Sequence, residues 1–259
     1  MPGELTLWGL AASGLMVGVA VVLSLWRGLG LSRSILWAAL RALVQLLVIG
    51  LALDLVIDRD RPLVLSWAWV VAMVLFAAWT TRRRAPEVPG GFTLSLLAYT
   101  ASSVVSLGVL FGFSIFPLEG RTIVPLAGMV IGNSLASTVL VGRRIIDELS
   151  EQRDVVEARL ALGRTATEAA RPHLRAAVRT ALIPQIETTK AVGIVFLPGT
   201  MVGLILAGAD PLAAVRVQVA VMYLVLGSVA TTTTVVALGL SRRVFTPDHR
   251  LVRLHPARQ

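Results

Sequence analysis

Seven apolar runs punctuate the chain, at 5–26, 34–57, 63–81, 92–116, 122–142, 184–207 and 211–240. Each is close to the ~20 residues that a helix needs to cross hydrocarbon. Lipid offers open backbone groups no partner, and the runs lack the strict alternation of barrel strands, so they must be helices. The expected fold is all-α: a polytopic membrane protein with about seven transmembrane helices in a single domain over 1–259. Composition excludes the other classes. Hydrophobic residues make up 56% and charged residues 15% of the chain, against roughly 25% charged in a soluble domain. That is too apolar for disorder. A chain without Cys has no disulfide scaffold. The first run resembles a signal peptide, but Glu4 is the only charge before it and it outruns an h-region, so it reads as a retained span.

The formal net charge is +9, and its placement decides what it means. Arg27, Arg33, Arg82, Arg83 and Arg84, eight arginines between 143 and 179, and five from Arg242 onward all fall on one predicted side. The other side has Arg59, Arg61 and Arg121, with Arg216 near its edge. The positive-inside rule then puts the N-terminus outside and the C-terminus in the cytoplasm. The excess charge sets orientation in a lipid bilayer, and no nucleic acid is expected as a partner. The six Trp agree: Trp8, Trp67 and Trp69 fall at outer ends, Trp26, Trp37 and Trp79 near inner ends. The plain alternative is that they are core residues.

One cytoplasmic loop is unlike the others. Residues 143–183 are charged and amphipathic, with Val155, Val156, Leu160 and Leu162 marking one apolar face and Leu174, Val178 and Leu182 another. Thr165 and Glu168 have capping-box spacing, so a helix starts near Ala166. Pro172 is expected to break it after about one and a half turns. The segment reads as a docking element rather than an inert connector. Residues 241–259 form a basic cytoplasmic tail.

Several chemistries are missing. The single Lys, Lys190, lies in the sixth run without a Gly-rich loop, so the chain has no P-loop for ATP. Gly132-Asn133-Ser134 faintly resembles a serine nucleophile, but His173, His249 and His255 are all outside the spans, which argues against a Ser–His protease. Ligand clusters of the zinc type are absent too, so no metal site is assigned; Met129, Met201 and Met222 could be soft contacts or plain packing.

Polar residues inside the spans are few. Arg41 and Gln45 share a face of the second run, with Asp54 near its outer end, and Glu187 and Lys190 share a face of the sixth. Each is a structural ion or a lining of the substrate path. Gly128, Gly132 and Ala136 repeat at four-residue spacing, with Asn133 and Ser134 beside them; this is a close helix contact or a path lining. Pro198 and Gly199 interrupt the sixth run and mark a hinge or a packing kink. Gln218 and the threonines at 231–234 lie in the seventh; helical hydroxyls can bond to the preceding turn, which makes the Thr run the weaker signal.

The strings PLAGMVIGNS at 125–134, LPGTMVGLILAGADP at 197–211 and VRVQ at 215–218 resemble the FetB/YbbM family of ABC transporter permeases, over about residues 30–240. The resemblance implies a homodimeric permease in the inner (plasma) membrane, without an ATPase site of its own. A separate cytoplasmic ABC ATPase would bind ATP and Mg. Bacterial members are linked to iron export and plant members to aluminium tolerance. EARLALG at 157–163 is similar to the loop by which many permeases contact their ATPase, which makes Glu157, Ala158, Gly163, Thr165, Glu168 and Arg171 candidates for coupling. The path candidates are Arg41, Gln45, Met129, Asn133, Ser134, Glu187, Lys190, Met201 and Gln218, with Pro198 and Gly199 as hinge. Members often have Met-Met after Leu-Pro-Gly, where this chain has Thr200-Met201. A secondary transporter, or a seven-span receptor, is the alternative; an ion-coupled site or ligand binding without flux would mark them.

Overall fold

A computed structural model describes residues 7–57, 62–248, 250–252 and 254. Glu4, Arg59, Arg61, His249, Arg253, His255 and Arg258 lie outside the described residues, as does the side chain of Asp54. The chain divides into two compact units, Met1–Asp58 and Arg59–Gln259.

The first unit is a helical hairpin of α1 (Leu7–Trp26) and α2 (Ser32–Ile57). Gly28 supplies the left-handed residue that ends α1, at φ 63°. Its N–H donates to the Leu25 carbonyl and that of Leu29 to Ser24, the paired bonds of a Schellman cap. The buried Ser24 hydroxyl accepts from the Leu31 N–H at 3.1 Å, which fastens the start of α2 to the end of α1.

The second unit contains α3 (Leu63–Arg84), α4 (Gly91–Gly112), α5 (Gly120–Glu151), α6 (Arg153–Ala161), α7 (Ala166–Ala191), α8 (Gly199–Leu206) and α9 (Pro211–Arg243). α9 is the central helix and touches α4, α5, α7 and α8. The buried Ser134 and Ser228 hydroxyls bond at 3.3 Å across α5 and α9, and Ser102 of α4 donates to the Ser228 carbonyl. Small hydroxyl side chains permit close approach where lipid removes the hydrophobic drive between helices. The threonines at 231–233 each donate to a carbonyl of the preceding turn, as read from the sequence.

Five helices among the described residues are long and apolar enough to cross a membrane: Ser32–Gly50 within α2, then α3, α4, α5 and α9. The chain is an all-helical, multi-pass membrane protein. The first expected span appears as a shorter apolar stretch, Ala12–Trp26. The sixth is divided between the end of α7, an irregular segment at 192–198, and α8. Five of the six Trp are exposed on the protein surface, as a lipid-facing belt requires and a core does not. Arg27 lies over Trp26 and Arg83 over Trp79, each 4.9 Å from the ring centroid, where a cation and an aromatic meet at an interface.

Two expectations need correction. The loop expected at 143–183 begins as helix, because α5 runs to Glu151. At about 1.5 Å per residue its 32 residues reach ~48 Å, well beyond the ~30 Å of hydrocarbon. Nor does Pro172 break α7, which is continuous over 26 residues through Pro172 and Pro184. The Pro172 ring removes only the bond to the Glu168 carbonyl. Ala169, Ala170, Leu174, Ala177 and Ala181 are buried along that helix, so packing against α5 and α9 holds it.

Candidate functional site

One core joins the far half of α5, α6, the first half of α7, the α3–α4 loop, the start of α4, and the end of α9 with the residues after it. Arg143 reaches from α5 to the buried Glu87 carboxylate at 2.9 Å and also donates to the Arg84 carbonyl. Arg243 donates to the Gly90 carbonyl of the same loop. Arg153 of α6 pairs with Glu157 at 2.6 Å and donates to the Leu251 carbonyl. Leu251 is itself buried, so the basic tail braces α6.

The α6–α7 turn projects from this core and is fixed at both ends. Gly163 is left-handed at φ 81°. Its N–H donates to the Leu160 carbonyl and that of Arg164 to Arg159, a second Schellman cap. Thr165 and Glu168 then form the expected capping box. The Thr165 backbone N–H donates to the Glu168 carboxylate, and this bond holds the Glu168 carboxyl below its ordinary range. Arg159 bridges to the Ala169 carbonyl of α7. The four apolar residues expected on one face of α6 fall on two. Val156 is buried and Leu160 half-buried, one turn apart. Val155 and Leu162, two turns apart, face out with Ala158 between them, and Leu162 is 83% exposed. The result is a rigid hairpin presenting an outward apolar ridge.

The second feature is a cavity of about 350 Å³ between the irregular segment and α9. α7 stops at Ala191, where the chain makes a local turn with Gly193 at φ 89°. The Gly193 N–H donates to the Phe196 carbonyl and Val195 donates to Ala191, which closes a tight loop. Pro198 then caps α8 and Gly199 is its first residue. Pro198 and Gly199 thus begin a helix, and the left-handed glycines flanking α8 are Gly193 and Gly208. Met201, Met222, Gln218, Thr189 and Tyr223 line the cavity. Gln218 is 4% exposed, and its Oε1 has no hydrogen-bond partner among the described residues. An orphaned buried acceptor costs about 1–3 kcal/mol unless something in the cavity satisfies it.

The other path candidates lie elsewhere. Met129 packs against the α5–α9 core. Ser134 is buried in the α5–α9 contact and also donates to the Val130 carbonyl. Asn133 is exposed, and its side chain donates to the Met129 carbonyl one turn back. Glu187 and Lys190 are exposed and paired at 2.8 Å. Arg41 and Gln45 are exposed on α2 of the first unit. Of the residues singled out in the sequence, Met201 and Gln218 line this cavity; Gly193, which also lines it, was not singled out, and its only signal was a glycine inside an apolar run. Among the described residues no cluster of three or more His, Cys, Asp or Glu could hold a metal.

The family described as "Uncharacterised protein family (UPF0014)" matches residues 7–245. The UPF0014 membrane protein STAR2 of Oryza sativa subsp. japonica is 36% identical over 217 residues, which is 82% of this chain and 74% of that protein. The UPF0014 membrane protein YjkA of Bacillus subtilis is 33% identical over 237 residues, covering 92% and 94%. The "Probable iron export permease protein FetB" of Escherichia coli is 34% identical over 252 residues, covering 94% and 93%. No solved structure matches the chain. The resemblance carried by the 125–134 and 197–211 motifs thus extends to nearly the whole length, and the chain belongs to the UPF0014 family of membrane proteins.

Proposed function

We propose that this chain is the membrane subunit of an ABC-type transporter and moves a metal ion, iron first among the candidates, outward across the inner (plasma) membrane. It works as a homodimer with two copies of a separate ATPase, which holds ATP and Mg. α1, and the pair made by the end of α7 with α8, add two crossings to the five long helices. Seven crossings place the N-terminus outside and the arginine-rich ends in the cytoplasm. The observation that carries the reading is the α6–α7 hairpin. A ridge of Val155, Ala158 and Leu162 on a turn locked by Gly163, Thr165 and Glu168 suits a partner that pushes on it. α6 and α7 share a core with α5 and the end of α9, so a displacement of the hairpin reaches the spans as a rigid movement.

The cavity beside Gly193 suits the cargo. Met201 and Met222 offer thioethers and Gln218 an unpaired carbonyl oxygen. These are neutral, weak donors. A transport site must bind loosely enough to release, and dedicated carboxylate or His cages do the opposite. The relative whose name includes iron export supports the substrate class. Metal efflux from right-side-out vesicles loaded with metal, ATP and ATPase tests it. Gln218→Leu should cut efflux at least tenfold while leaving ATPase association unchanged. Unaltered efflux would remove the cavity from the path.

A further inference from the structure

A cleft of about 820 Å³ lies between α7 and α9. Its rim carries Arg171, Arg175 and Arg179, spaced by four residues on one face of α7. At 1.5 Å per residue the row spans about 12 Å. Among the described residues none of the three has an ion-pair or hydrogen-bond partner, although Glu168 feels the charge of Arg171; Arg143, Arg144 and Arg153 each have a carboxylate. The floor continues from the row toward the membrane end and is apolar, with Leu182, Ile186 and Leu238. The one carboxylate in the cleft, Glu187, is already held by Lys190 at 2.8 Å.

We infer that this cleft binds an anionic phospholipid of the cytoplasmic leaflet. Its phosphate would lie along the arginine row and an acyl chain over the apolar floor. The guanidinium fork matches phosphate oxygens bidentately. Unpaired basic side chains between helices at the cytoplasmic interface attract acidic headgroups. A volume of this size is within the roughly 300–1,000 Å³ of small-molecule sites. A second copy of the chain fits less well. Two copies in one membrane related by a two-fold axis would set the arginine rows against each other at the same depth, with no free carboxylate lining the cleft to pair them. The inference rests on the transporter reading only for the leaflet, since the positive-inside orientation puts α7's first half in the cytoplasm. The site would tie α7, which carries the docking hairpin, to the composition of the leaflet.

The test is native mass spectrometry of the detergent-purified full chain titrated with phosphatidylglycerol, phosphatidylcholine or inorganic phosphate. Neither ATPase nor metal is needed, so failure here is distinguishable from failure of the transport reading. Phosphatidylglycerol should bind in preference to phosphatidylcholine. Arg175→Gln and Arg179→Gln should each weaken it by about fivefold, and the pair by more than tenfold. Arg242→Gln removes the same charge from an exposed position outside the cleft and should change nothing. Equal binding of the two lipids, or an equal loss in Arg242→Gln, would overturn the site. Displacement of the lipid by millimolar phosphate would make it a free-anion site instead. A change of oligomeric state in the double variant with lipid binding intact would make the cleft an interface between copies.

Discussion

Gly193 and Gly199 lie six residues apart in the same apolar run, and the structure predicts opposite responses to alanine. Gly193 has φ 89° and no atom within 4 Å of the position a Cβ would take. The cost of alanine is therefore the backbone term alone, about 1–2 kcal/mol for a non-glycine residue in the left-handed region. Gly199 also has open space around its Cβ position, but it sits at the first position of α8 with ordinary backbone. Alanine there is neutral or stabilising by up to ~1 kcal/mol, because it restricts the unfolded chain. The two variants should differ by about 2 kcal/mol, or about 30-fold in the equilibrium between the closed and the opened segment. Amide hydrogen exchange across 191–206 in lipid nanodiscs reads that ratio directly. Gly193→Ala should raise exchange at Val195 and Gly193, whose N–H groups close the loop, and Gly193→Asn should recover part of the loss. If Gly199→Ala opens the segment as much as Gly193→Ala does, the left-handed turn is not what ends α7.

Three further outcomes follow from the same geometry. Glu168 has its carboxyl lowered by the Thr165 backbone N–H, so the cap is at full strength above the ordinary carboxylate range and is lost as pH falls through the lowered value. Exchange at the start of α7 should rise at acidic pH, and Glu168→Gln should remove that pH dependence. Arg143→Gln leaves the buried Glu87 carboxylate without its partner, whereas Glu87→Gln leaves only a half-exposed arginine. The first should lower the midpoint of thermal unfolding in detergent more than the second. A Cβ on Gly239 would run into Leu94 Cδ2, so Gly239→Ala should cost about 1–3 kcal/mol at the α4–α9 contact, with partial recovery when Leu94→Val is added.

Much of this was legible in the sequence because it depends on local chemistry. The apolar runs matched the starts of α3, α4 and α9 to within one residue and their ends to within four, and Thr165 with Glu168 marked the start of α7. Glu187 and Lys190 pair as their spacing allows. The misreadings came where tertiary packing overrides a local rule. Pro172 carries a helix-breaking tendency, yet buried alanines on the same helix keep α7 continuous. Val155 and Leu162 looked like core alongside Val156 and Leu160, but a seven-residue spacing and a four-residue spacing describe two different stripes. The cavity was half visible: Gln218 and Met201 stood out as polar or soft residues in spans. Their meeting depends on a turn at Gly193, which periodicity does not encode. Arg175 and Arg179 read simply as positive-inside charge and Arg171 as a coupling candidate, since lack of a partner is a property of the folded surface.

The most direct measurement is co-purification of this chain with ABC ATPases from the same genome, expressed one at a time. One of them should form a nucleotide-dependent complex with two copies of each subunit. Leu162→Asp should weaken that complex about tenfold without lowering the midpoint of thermal unfolding, since Leu162 is exposed and touches no core. Metal efflux that proceeds without any ATPase, or a complex indifferent to Leu162→Asp and to Gly163→Pro, would contradict an ATP-driven permease docked through the α6–α7 hairpin.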